Sequence, residues 1–110
     1  MEKNKIPGIT LNNGIEMPLL GLGVYDMYQK EAEEAVENAL GIGYRLIDTA
    51  AMYENEKEIG AAIRNSGIRR EDIFLTTKLN NTDHGFENTL KAFDESLKKL
   101  NQNYVDLYLI

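Results

Sequence analysis

The chain has 110 residues, 43% of them apolar and 27% charged, which is the balance of a single soluble globular domain rather than of a disordered or membrane-spanning segment. Its net charge of −6, with 18 acidic against 12 basic residues and no basic cluster beyond a pair, points away from a nucleic-acid partner. There is no Cys and one His, so neither a disulfide framework nor a thiolate or His-based metal site is expected, and no apolar run approaches the length that spans a bilayer.

Met1 to Lys5 is charged and leads directly into Ile6 and Pro7 without an apolar core, so no secretory signal is expected, and a reducing cytoplasm suits the composition. Ile9-Thr10-Leu11 and Ile15-Glu16-Met17 are short alternating runs joined by Asn12-Asn13-Gly14, a turn that tolerates positive φ; together they predict a β-hairpin. Pro18 is expected to interrupt pairing, after which Leu19 to Gly23 form a short apolar strand ending in Gly21-Leu22-Gly23. From Gln29 to Leu40, the residues Ala32, Ala35, Val36, Ala39 and Leu40 recur at spacings of three and four, the pattern of an amphipathic helix, with Gly41 and Gly43 as stop positions. A strand is predicted over Tyr44 to Asp48. A second helix follows over Asn55 to Ser66, with Ile59, Ala62 and Ile63 on one face and Gly67 as terminator. Ile73 to Lys78 reads as a strand, Phe86 to Leu100 as a third helix with a stripe of Leu90, Phe93, Leu97 and Leu100, and Tyr104 to Ile110 as a final strand.

This order is β-α-β-α-β-α-β, with connections too long for hairpins and therefore parallel strands joined by right-handed crossovers. A small doubly wound sheet satisfies it with four strands, and so does part of an eight-stranded barrel of typically ~250 residues. Periodicity does not choose between them.

The stretch Gly43-Tyr44-Arg45-Leu46-Ile47-Asp48-Thr49-Ala50, five further residues that include Tyr53, then Glu56 and Ile59-Gly60, matches the aldo-keto reductase signature at each defined position. The likeness continues through Phe74–Lys78, Phe93–Leu100 and Tyr104–Ile110 and covers essentially the whole chain. The chain thus resembles the N-terminal portion of that family. The resemblance implies an α/β fold, the N-terminal half of a (β/α)8 TIM barrel, in which a β-hairpin that closes the barrel bottom is followed by (βα)3β with parallel strands; residues 1–110 would be an incomplete part of one domain. It also implies reduction of aldehydes and ketones with NADPH or, in some members, NADH, with no metal and with a small carbonyl compound as partner.

Hydride addition to a carbonyl leaves negative charge on oxygen, which a proton donor must discharge. By the resemblance, Tyr53 is that donor, Lys78 is the ammonium that favours its phenolate, and Asp48 is the carboxylate that pairs with Lys78, orients it and keeps it charged. The strand assignments agree, since Asp48 and Lys78 each end a predicted strand and Tyr53 lies in the loop after one, the face on which such barrels keep their chemistry. Taken singly, Asp48 reads as a helix cap or surface group, Tyr53 as a packing aromatic and Lys78 as a solvated strand terminus; only their joint spacing raises them. Gly21-Leu22-Gly23-Val24-Tyr25 is similar to the family's first-strand loop, which implies that Gly23, Val24 and Tyr25, with Asp48, border the nicotinamide and substrate. As a bare pattern Gly-X-Gly lacks the third glycine of a dinucleotide fingerprint. Two rival readings are a Schiff-base aldolase built on Lys78 and a non-catalytic half-barrel that self-associates.

The family usually places a His directly after the fourth strand, and the sequence ends at Ile110 before that position. His84 lies in the loop after Lys78 and reads as an exposed loop residue instead. Asn80 stands where family members commonly carry a Trp two positions after the Lys. Phosphate binding in such barrels draws on loops after strands 7 and 8, so poor cofactor affinity is expected of this segment alone. Alternation from Asp48 and Lys78 turns Leu46, Phe74 and Thr76 inward, joined by Leu107 and Leu109 in the family register. An open half-barrel would expose that apolar face and two strand edges, so the missing barrel half or self-association is expected to cover it.

Overall fold

The computed structural model describes residues 6–110; the reading of Met1 to Lys5 as free of a signal lies outside them. The predicted hairpin is present, with β1 (Gly8–Thr10) antiparallel to β2 (Glu16–Pro18). Its turn is closed by the Gly14 N–H donating to the Leu11 carbonyl at 2.9 Å, and Gly14 has φ +87, a value that favours glycine. Pro18 corrects one expectation: it does not interrupt the ladder but is its last member, paired opposite Gly8 at the end of β2. The next bond is supplied by Leu19, whose N–H donates to the Pro7 carbonyl, so the missing N–H of proline falls where none is required.

Four parallel strands follow: β3 (Leu22–Gly23), β4 (Leu46–Asp48), β5 (Phe74–Lys78) and β6 (Leu107–Leu109), in the order β3-β4-β5-β6. The connecting helices are α1 (Gln29–Gly41), α2 (Glu56–Asn65) and α3 (Phe86–Leu100). This order settles what periodicity left open. A doubly wound sheet reverses direction at a switch point and places helices on both faces, whereas strictly sequential order with right-handed crossovers keeps all three helices on one face, as in a barrel. Accordingly α1 packs on α2 and α2 on α3. The main core lies between sheet and helices, where Ile47 and Leu75 meet Val36, Leu40, Ile59, Ile63 and Leu100.

The expected strands are longer than those observed. Leu19, Leu20 and Gly21 take no place in the parallel ladder, which on this edge begins at Leu22, and within the Tyr104–Ile110 run only Leu107–Leu109 pair. The α3 stripe also differs from expectation. Its buried residues are Ala92, Ser96 and Leu100, while Leu90 is exposed and Phe93 and Leu97 are half-buried, because small side chains face the close seam with α2 and β5 and the larger ones flank it. At that seam Gly60 of α2 meets the Leu100 carbonyl so closely that a Cβ would overlap it, and Arg64 donates to the same carbonyl at 2.8 Å. The helix stops are Gly43 (φ +114) rather than Gly41 after α1, Gly67 (φ +76) after α2, and Asn101 (φ +53) after α3.

The inner face is less open than expected. Leu46, Phe74 and Thr76 are buried there, and the backbone of Gly21 rests directly on Leu46. Leu19, Leu20, Leu109 and Ile110, next to the two edge strands, are among the exposed large hydrophobic residues. Strands β3 and β6 are the two sheet edges.

Candidate active site

The two charged residues of the site are placed by strand alternation. Ile47 and Leu75 face the helices, so their neighbours Asp48 and Thr76, paired opposite each other, face inward, and Lys78 follows two residues after Thr76. Asp48 and Lys78 are therefore the last residues of adjacent strands, on one face and at one end. Tyr53 reaches them from a short 3-10 turn, Ala51–Tyr53, in which its N–H donates to the Ala50 carbonyl at 3.1 Å. Glu54 then takes a left-handed conformation (φ +57) that turns the chain into α2.

These three side chains converge on one ammonium. Lys78 Nζ donates to Asp48 Oδ1 at 2.6 Å, to the Thr49 carbonyl at 3.1 Å and to Tyr53 Oη at 3.3 Å. An ammonium has three donors and no acceptor, so all three are spent here. It follows that the Tyr53 oxygen accepts from Lys78 and that the hydroxyl's own proton points elsewhere. Burial pushes the Lys78 ammonium down, but its hydrogen bonds to Asp48 and Tyr53, with their Coulombic attraction, outweigh this and raise its pKa above the ordinary 10.5. Lys78 is a fixed positive charge at the rim.

The first-strand loop borders the same rim. Gly23 pairs opposite Asp48, and no atom lies within 4 Å of where its Cβ would stand, which leaves an open shelf beside the carboxylate. The Tyr25 ring is exposed and meets the Tyr53 ring edge-on, with centroids 5.3 Å apart. Val24 is different: its side chain lies wholly in the core, its N–H donates to the Asp48 carbonyl, and its carbonyl accepts from Asn55, so it reaches the rim only as backbone. His84 is exposed beyond the 3-10 turn Asn81–Asp83, and Asn80 caps that turn by accepting from the Thr82 N–H at 3.4 Å.

Asn55 is a residue that the sequence reading did not single out. It stands immediately before α2, where Asn ordinarily caps the helix, yet its side chain makes no cap bond. It is fully buried, accepts from Thr49 Oγ1 at 2.6 Å, and donates to the carbonyls of Val24 and Met27, each at 3.0 Å. Its place among the undefined positions of the signature hides it, and Asn before a helix carries an ordinary explanation.

The family model described as "Aldo/keto reductase family" matches residues 19–110. The chain is 55% identical over 106 residues to morphine 6-dehydrogenase of Pseudomonas putida, covering 96% of this chain and 36% of that protein. Among solved structures, an aldo/keto reductase from Brucella melitensis superposes with a TM-score of 0.94 at 58% identity, covering 96% of this chain and 40% of the other. A Bombyx mori aldo-keto reductase solved in complex with NADP superposes at 0.86 with 40% identity, covering 96% and 38% respectively. The chain thus spans well under half the length of these relatives and corresponds to their N-terminal portion.

Proposed function

Because the chain belongs to the aldo/keto reductase family, we propose that the whole protein reduces aldehydes and ketones to alcohols with NADPH, Tyr53 supplying the proton. The carrying observation is the Lys78 ammonium, which donates to both Asp48 and Tyr53. Placed against the phenolic oxygen, that charge stabilises the negative charge left there when the proton departs. Asp48 holds the ammonium in place. A charged, fully hydrogen-bonded Lys78 suits this role and not that of a Schiff-base nucleophile, which must be neutral to attack.

The bound nicotinamide supplies hydride. The residues present fit that end of the cofactor: Gly23 offers an open shelf, Asp48 and the exposed Tyr25 flank it, and Val24 shapes the backbone between them. The Bombyx mori relative bound to NADP supports the choice of cofactor, with NADH as the variant to compare. Residues 1–110 are read as the N-terminal part of one barrel domain working in the cytoplasm, and no helix among the described residues is long and apolar enough to cross a membrane.

Loss of NADPH absorbance on mixing the whole protein with small aldehydes and ketones tests the proposal. Turnover is expected, and Lys78→Met should lower kcat by roughly 10²–10⁴-fold, the usual range for acid–base assistance. A whole protein that reduces no carbonyl compound would overturn it. For the 110-residue segment alone, exposed Leu19, Leu20, Leu109 and Ile110 favour a second reading, a non-catalytic half-barrel that pairs with another copy. A stable monomer by size exclusion with light scattering would contradict that.

A further inference from the structure

We propose that Asn55 is a positioning residue that locks the first-strand loop, and with it the Tyr25 ring, against the proton-donating Tyr53. The inference rests on the reading of Tyr53 as donor and extends it to a residue that touches neither the phenol nor the ammonium.

The loop between Val24 and α1 carries unusual backbone. Asp26 has φ +61, in the left-handed region that disfavours most residues with a Cβ. Such conformations persist where surrounding bonds over-determine them. Asn55 supplies two of those bonds, since both amide protons go to loop carbonyls, one at Val24 and one at Met27. The two carbonyls bracket Tyr25 and Asp26. Holding both fixes the segment that lays the Tyr25 ring on Tyr53 at 5.3 Å.

The amide is itself oriented. Thr49 Oγ1 donates to Asn55 Oδ1 at 2.6 Å, which selects the rotamer that turns the amide nitrogen toward the loop. Thr49 also accepts from Lys78 Nζ through its backbone carbonyl, and its N–H donates to the Thr76 carbonyl. One residue therefore joins the ammonium at the end of β5 to the amide that restrains the loop after β3. The arrangement forgoes a cap on α2: at the one position where an Asn side chain could accept from the helix N–H groups, it is committed elsewhere.

Asn55→Asp in the whole protein is the test. The replacement keeps size and can still accept from Thr49, but it cannot donate to either carbonyl and sets a carboxylate against both. Expected is a fall in kcat for carbonyl reduction on the order of 10²-fold with KM little changed, as for a reacting group displaced by about 1 Å, together with loss of the Tyr25–Tyr53 ring contact in nuclear Overhauser spectra. If that variant does not fold, Thr49→Val decides: it removes only the hydroxyl that orients the amide, and should lower kcat in the same sense, with Thr49→Ser recovering most of the loss. A lowered melting temperature with wild-type kcat and an intact ring contact would overturn the inference and leave the reductase reading standing. A wild-type protein without carbonyl reduction would overturn both.

Discussion

Asp48 and Glu56 come from the same signature stretch, yet they occupy opposite sides of the sheet and are held in unlike ways. Asp48 sits at the rim with its side chain 39% exposed, paired with an ammonium that also contacts a phenol. Glu56 is 2% exposed in the seam between α2, β5 and α3, where its two oxygens accept from Thr77 Oγ1 at 2.6 Å and Ser96 Oγ at 3.1 Å. Among the described residues it has no ion-pair partner. The first arrangement leaves a carboxyl group within reach of solvent and of a ligand; the second encloses one among hydroxyls and joins three elements. A single sequence motif thus mixes a residue at the open rim with a residue of the buried seam, and depth in the structure separates them.

Removing the buried carboxylate should have the larger effect on folding. Glu56→Ala leaves the Thr77 and Ser96 hydroxyls without their acceptor and is expected to cost roughly 2 kcal/mol or more in urea unfolding, given ~1–3 kcal/mol for each buried polar group left unsatisfied. A loss below about 1 kcal/mol, the scale of a surface pair, would erase the distinction between the two regions. At the rim, Asp48→Asn should change unfolding stability by less than about 1 kcal/mol, because the ion pair is partly exposed. Its effect belongs in kcat, which should fall while stability holds.

The smallest effect expected is a pH dependence. Lys78 has a folded pKa raised above the ordinary 10.5, so the folded chain binds this proton more tightly than the unfolded chain does. The stabilisation is complete below pH 10.5 and fades as pH rises through the folded value. The gap in melting temperature between wild type and Asp48→Asn should therefore narrow above pH 10.5. A gap that widens there would give the shift the wrong sign.

Helices α1, α2 and α3 were legible in extent because apolar spacing marks them, α3 spanning the predicted Phe86 to Leu100, and for α1 and α2 the spacing also marked the buried face. Strands were legible in place but not in length. The apolar runs Leu19–Gly23 and Tyr104–Ile110 report hydrophobicity and β-propensity, whereas ladder pairing depends on what the neighbouring strand offers. The α3 stripe misled for a related reason: large apolar residues mark hydrophobicity, while the residues of α3 that are buried are Ala92, Ser96 and Leu100, two of them small. At the site, Asp48, Tyr53 and Lys78 were legible through spacing and resemblance together. Asn55 was not, since its bonds run to two carbonyls far back in the chain and to a threonine hydroxyl that no local pattern connects.

The most direct test is the turnover of Tyr53→Phe in the whole protein, with NADPH affinity measured alongside by fluorescence. The phenyl ring keeps the packing against Tyr25 and removes only the hydroxyl, so kcat should fall by roughly 10²–10⁴-fold with cofactor affinity little changed. A Tyr53→Phe protein that reduces carbonyl compounds at the wild-type rate would contradict the assignment of the proton to this phenol.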